Sequence, residues 1–142
     1  MPTRRATATW NGTLKEGEGN FEGESGAVRA PYNFGSRFGD AGGTNPEELL
    51  AAAEAACFSM ALAGNLEREG ARPQRVRTEA GCTVEKQGDG FKITTLALHT
   101  RVSAEGVDDG ELQRIASQTK ETCPVSLALK EGVEITLEAE LE

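Results

Sequence analysis

The order of hydrophobic patterns predicts an α+β fold: strands, a long helix, strands, a second helix and a last strand. Three stretches predict it. A well-marked helix start at Asn45-Pro46-Glu47-Glu48 opens a run of small residues that continues to Gly70. Two runs rich in β-branched residues, 76–85 and 91–102, flank the turn Gly88-Asp89-Gly90. Residues 133–141 alternate apolar and polar without a break, as a half-buried strand does.

Taken in order, the first forty residues read as extended. Ala6-Thr7-Ala8-Thr9-Trp10 runs into Asn11-Gly12, a strong turn signal, and glycines at 17, 19, 23 and 26 fit short strands joined by turns. Residues 31–38 read as another extended piece, and 40–44 as a loop. Asn45 can then cap a helix, Pro46 suits its first position, and Glu47 and Glu48 favour the positive end of its dipole. Glu48 stands three residues after Asn45, the spacing of a capping box. This helix reaches about Glu69, and its small residues predict burial with close approach of another element. After the two strands, Leu112, Ile115, Ala116 and Thr119 recur at helical spacing over 108–122, and Cys123 extends that stripe. Pro124 begins a short helix to Lys130, and Gly132 stops it. There is no internal repeat and no linker, so 1–142 is expected to be a single domain.

Composition narrows the function. The net charge is -8, with basic residues scattered among more numerous acids, which argues against nucleic acid and anionic membrane surfaces as partners. No unbroken apolar run approaches the ~18 residues of a membrane span, and no apolar stretch follows the basic N-terminus. A cytoplasmic location is the default expectation. Three cysteines is an odd count without Cys-x-x-Cys spacing, which argues against a structural disulfide framework and a zinc knuckle. His99 is the only histidine and has no partner at metal-ligand spacing, so neither a metal nor a cofactor is expected.

Two thiols remain as candidates for chemistry. Cys57 lies in the small-residue helix, and Cys123 directly precedes Pro124. A cysteine reacts as its thiolate, and nearby positive charge favours that form. Cys57 stands about 18 Å from its helix N-terminus, beyond the reach of the dipole, so a cation must come from elsewhere. Arg37 is the nearest arginine on that side, whereas Arg68 lies about three turns further along the helix. At 100° per residue, Glu47 lies about 80° around the helix from Cys57 and Glu48 about 180° away. Glu47 shares a side with the thiol and could hold an arginine that reaches toward it, but plain stabilisation of the first helical turn is the simpler reading of both acids. Cys123, at the N-cap of the short helix, meets unpaired backbone N–H groups that favour a thiolate, so local physics leaves open which thiol attacks first. Burial as a small hydrophobe accounts for Cys82, and a plain strand position for His99.

Asn45-Pro46-Glu47-Glu48-Leu49, Ala55-Ala56-Cys57-Phe58-Ser59-Met60-Ala61-Leu62 and Cys123-Pro124-Val125-Ser126 together closely resemble the OsmC branch of the OsmC/Ohr family. The similarity extends to Trp10-Asn11-Gly12, Glu24-Ser25-Gly26 and Pro31-Tyr32 with Phe34 and Arg37. Val125, where Ohr proteins typically carry Tyr, favours the OsmC side. The resemblance implies antiparallel sheets around a long buried central helix plus a second helix, in an intertwined homodimer with active sites at the subunit interface. It implies a thiol-dependent peroxidase for organic hydroperoxides and hydrogen peroxide, with Cys57 peroxidatic, Cys123 resolving, and Arg37 held by Glu47. Glu48 is the less favoured partner. A Cys57–Cys123 disulfide would close the cycle, and an external dithiol, such as a lipoylated protein, would reduce it. One departure stands out: many relatives have His where this chain has Glu54. Phe38, Phe58 and Met60 are candidates for an apolar entry, with core packing as the plainer role. The competing readings are a non-catalytic binding module using the same pocket, and a thiol acyl transferase or hydrolase with His99 as base.

Overall fold

The computed structural model describes residues 1–142 and is mixed α+β, with two compact units, Met1–Glu48 and Leu49–Glu142. In the first unit, β1 (Ala6–Asn11), β2 (Glu18–Gly23) and β3 (Arg29–Asn33) form an antiparallel sheet in sequence order. The glycines serve the expected turns, and Gly12 has φ of 93°, a conformation few other residues adopt. Aromatic rings bind this sheet together: Tyr32 lies 5.4 Å from Trp10 and 5.8 Å from Phe21, centroid to centroid.

The extended reading of residues 31–38 fails in its second half. Phe34–Phe38 is a short helix, α1, capped by Asn33. The Asn33 side chain accepts from the Ser36 backbone N–H at 2.9 Å, and the Ser36 hydroxyl lies 3.0 Å from the Asn33 N–H it accepts from. That reciprocal cap satisfies the helix start, and the Phe34 and Phe38 rings meet one turn apart in a tilted arrangement, 5.3 Å between centroids. Helix α2 (Pro46–Arg68) begins as expected, with Asn45 Oδ1 accepting from the Glu48 N–H at 2.8 Å. The other end of the Asn45 amide donates to the Ser36 carbonyl at 2.9 Å.

The second unit holds the rest of α2, the sheet of β4 (Arg72–Gln87), β5 (Gly90–Glu105) and β6 (Glu134–Leu141), and helices α3 (Asp109–Thr122) and α4 (Pro124–Leu129). β4 and β5 form a long antiparallel hairpin. The expectation of antiparallel sheets does not extend to β6, which pairs parallel to β5. The chain leaves β5, crosses through α3 and α4, and so enters β6 from the same end; a parallel pair requires such a crossover. Alternation within 133–141 cannot reveal this, because it fixes a face and not a direction.

The core lies in this unit. Along β5, Leu96, Leu98, Thr100 and Val102 point inward at every second position. Phe58, Leu62 and Leu66 of α2 meet Leu98 and Val102 and the inner face of α3, Leu112, Ile115 and Ala116. Asp108 and Glu111 cap α3 reciprocally, as a capping box. Within one chain α2 is buried on one face only. Glu54, Phe58, Leu62 and Leu66, four residues apart, are fully buried, whereas Met60 is 77% exposed. Helix α2 is long and apolar enough to cross a bilayer by length and composition alone, although no single apolar run in it reaches 18 residues. Its inward face is instead closed by the sheet and α3.

Candidate active site

Cys57 sits on the inner side of α2, and Cys123 at the junction where α3 ends and α4 begins. Sixty-six residues apart in sequence, the two sulfurs stand 2.9 Å from each other, with the Cys123 thiol donating to Cys57. They are unbridged, and Cys123 is fully buried while Cys57 is half-buried. A disulfide needs a separation of about 2.05 Å, so closing it asks for a shift of less than about 1 Å.

The surroundings of Cys57 oppose ionisation on balance. Burial pushes its pKa above the ordinary thiol value, and the hydrogen bond from Cys123 adds to the rise. Negative charge on Cys123 and Glu54 pushes the same way, while the backbone N–H of Val125 pulls it down. That amide corrects one expectation. The unpaired N–H groups at the start of α4 were expected to favour a Cys123 thiolate, but Cys123 makes no side-chain cap bond and the Val125 N–H serves Cys57. Val125 is the second residue of α4, so this amide reaches from the first turn of α4 to α2.

Next to the thiols lies a pairing that sequence reasoning missed, although Glu54 itself was singled out there. Glu54, three residues before Cys57, and Ser126, three after Cys123, are both 0% exposed, and the Ser126 hydroxyl donates to Glu54 Oε1. Glu54 Oε2 has no hydrogen-bond partner, and an unpaired buried oxygen of this kind costs about 1–3 kcal/mol. The i, i+3 spacing from each cysteine was the available signal.

In the first unit, Arg37 from α1 meets Glu47 from the first turn of α2. Arg37 Nη2 donates to Glu47 Oε1 at 2.8 Å, and Nε reaches the two oxygens at 3.1 and 3.3 Å. Glu47 is 5% exposed, whereas Glu48 faces solvent, so Glu47 is the arginine's partner. Arg37 also lies 4.9 Å from the Phe38 ring centre. Beside it opens a cleft of about 400 Å³ lined by Trp10, Leu14, Tyr32, Phe34, Arg37 and Phe38. Of the three candidates for an apolar entry, only Phe38 lines this cleft; Phe58 is core and Met60 is exposed.

The remaining candidates lie elsewhere. Cys82 is half-buried on β4 in register with Leu96. His99 Nε2 pairs with Glu140 at 3.0 Å on the outer face of the sheet, which leaves it no role as a base for either thiol. No three His, Cys, Asp or Glu side chains converge as metal ligands would.

A mixed α+β chain that brings two distant, unbridged thiols into contact at a helix junction defines a class of dithiol protein. Comparison with known proteins gives that class its family. Residues 39–138 match the family model described as OsmC-like protein. The chain is 42% identical over 140 residues to the protein named Peroxiredoxin OsmC from Escherichia coli K12, covering 98% of this chain and 96% of that one. It is 31% identical to an organic hydroperoxide resistance protein from Xanthomonas axonopodis pv. citri, over 78% of this chain and 75% of that one. Among solved structures, an OsmC organic hydroperoxide resistance protein of Legionella pneumophila superposes with a TM-score of 0.76 at 25% identity, covering 96% of both chains. OhrB of Bacillus subtilis does so with a TM-score of 0.70 at 25% identity, over 97% and 98%. The chain belongs to the OsmC-like family.

Proposed function

We propose that this chain is a thiol-dependent peroxidase that reduces organic hydroperoxides, and hydrogen peroxide, to alcohol and water. The single observation that carries the reading is the 2.9 Å approach of Cys57 and Cys123. The names of the relatives, a peroxiredoxin and organic hydroperoxide resistance proteins, support it.

The Cys57 thiolate attacks the terminal oxygen of the peroxide. The sulfur gives two electrons to the O–O bond, a sulfenic acid forms, and the alkoxide leaves and takes a proton to become alcohol. Cys123 then displaces hydroxide from Cys57, forming the disulfide and water. An external dithiol, a lipoylated protein in this proposal, restores both thiols by exchange. Since burial raises the Cys57 pKa, the step needs a cation at the sulfur. Arg37 takes that role in the proposal, with Glu47 fixing its guanidinium so that it also stabilises charge on the leaving oxygen. Val125 N–H serves the same thiolate from α4. The aromatic cleft beside Arg37 suits an alkyl or aryl group, which favours organic peroxides over hydrogen peroxide.

The proposal extends to 1–142 acting as one functional domain, to a homodimer that completes the site, and to a cytoplasmic setting. A family match spanning 39–138 supports the first, and the uncovered face of α2 around Met60 supports the second. The test is consumption of cumene hydroperoxide with dithiothreitol as reductant. Wild type should turn over, and Cys57→Ser should not; equal rates would end the assignment.

A further inference from the structure

Helix α2 meets the α3–α4 junction and the start of α4 through two rungs. Cys57 faces Cys123 in one, and Glu54 faces Ser126 in the other. Side chains three apart share a helix face, so on α2 the second rung stands about one turn from the first; on the other side Cys123 caps α4 and Ser126 is its third residue. Three of the four residues, Glu54, Ser126 and Cys123, have no solvent exposure. An apolar side chain of similar size would fill the Glu54 site without leaving an oxygen unpaired, yet Glu54 Oε2 has no partner. What the carboxyl gains there is the bond to Ser126. That bond crosses between the two helices whose relative position sets the distance between the sulfurs.

Resting on the peroxidase reading for its place in the cycle, we infer that Glu54 and Ser126 are positioning residues: their buried hydrogen bond clamps α4 to α2 and holds Cys123 in bonding range of Cys57 for disulfide closure. In that step the Cys123 sulfur attacks the sulfur of the Cys57 sulfenic acid. The S–S bond forms, the S–O bond breaks, and hydroxide leaves with the Cys123 proton as water. No outside electrons enter, because the peroxide has already taken two from Cys57. A slide of α4 by even one ångström would misalign the sulfurs, and disulfide geometry tolerates little of that. Glu54 also carries a second effect, since its charge opposes the Cys57 thiolate.

The clamp is tested without peroxide. The full chain is equilibrated in glutathione redox buffers well below its melting temperature, and the Cys57–Cys123 disulfide is quantified. The square of the reduced glutathione concentration divided by that of oxidised glutathione at half-closure gives the effective concentration of one thiol at the other. Ser126→Ala and Glu54→Ala should lower that concentration at least tenfold. Glu54→Gln keeps an oxygen that accepts from Ser126 and should stay within threefold of wild type. A structural role alone would move the melting temperature and leave the effective concentration in place. Should Glu54→Ala fail to fold, Ser126→Ala carries the result, since it removes one hydroxyl. Closure of Ser126→Ala at the wild-type ratio would overturn the clamp, as would a Glu54→Gln protein as defective as Ser126→Ala. Neither result bears on peroxide turnover, which the cumene hydroperoxide assay decides separately.

Discussion

Removing the Glu47 carboxylate separates stability from chemistry at the arginine. In Glu47→Ala, Arg37 loses hydrogen bonds of 2.8, 3.1 and 3.3 Å to a partner that is itself 5% exposed. Hydrogen bonds to charged groups contribute about 1.5–3 kcal/mol each when fully desolvated. The Arg37 side chain is 37% exposed, so water solvates the orphaned guanidinium and screening weakens the pair. The expected loss is therefore about 1–2 kcal/mol for the whole clamp, read as a shift of the urea midpoint at constant slope. Activity should fall further than stability. On the role proposed for Arg37, a guanidinium free to swing would no longer stabilise the thiolate or the leaving oxygen, and loss of one such preorganised donor costs about 10²-fold or more in turnover. Glu47→Gln should fall between the two, because it keeps the acceptor and drops the charge. Glu48→Gln is the control; Glu48 faces solvent, and its change should stay within about 0.5 kcal/mol with wild-type turnover. If Glu47→Ala and Glu48→Gln reduce peroxide at the same rate, Glu47 has no part in the chemistry and the reasoning on Arg37 fails.

Other predictions concern the core and pH. Leu62 is fully buried between the sheet and α3, so Leu62→Ala should cost about 2–5 kcal/mol in urea unfolding; a loss under about 1 kcal/mol would contradict the packing described. The folded pKa of Cys57 is raised, so its proton is held more tightly in the folded state. Its stabilising contribution is complete below the unfolded thiol pKa, about 8.5, and is lost as pH rises through the folded value. The urea midpoint should drop between neutral and alkaline pH, and Cys57→Ser should flatten that drop. An identical slope in both proteins would rule out Cys57 as its source.

Much of the fold was legible where local chemistry decides it. Asn45, Pro46 and Gly70 mark α2 because a cap, a fixed φ and a positive φ each demand particular residues, and Gly70 indeed has φ of 90°. Helix α1 was not legible: five residues with two aromatics carry little periodicity, and its Asn33–Ser36 cap is short and local. The direction of β6 depends on where α3 and α4 return the chain, which alternation does not encode. The uniform run of alanines hid which face of α2 turns inward, and only the four-residue spacing of Glu54, Phe58, Leu62 and Leu66 distinguishes it. At the site, Cys57, Cys123, Arg37 and Glu47 were named from motif and resemblance, and helical angles already preferred Glu47 to Glu48. The Glu54–Ser126 bridge joins residues 72 apart, and the Val125 amide reaches across from another helix. The only local trace of such contacts is the three-residue spacing of Glu54 and Ser126 from the cysteines, which does not say that the two meet.

The most direct measurement is a peptide map after one equivalent of cumene hydroperoxide, with remaining thiols blocked before digestion. The account predicts a linked pair of peptides carrying Cys57 and Cys123, with Cys82 bearing the blocking group. A blocked Cys123 beside an over-oxidised Cys57, or a bridge that includes Cys82, would contradict it.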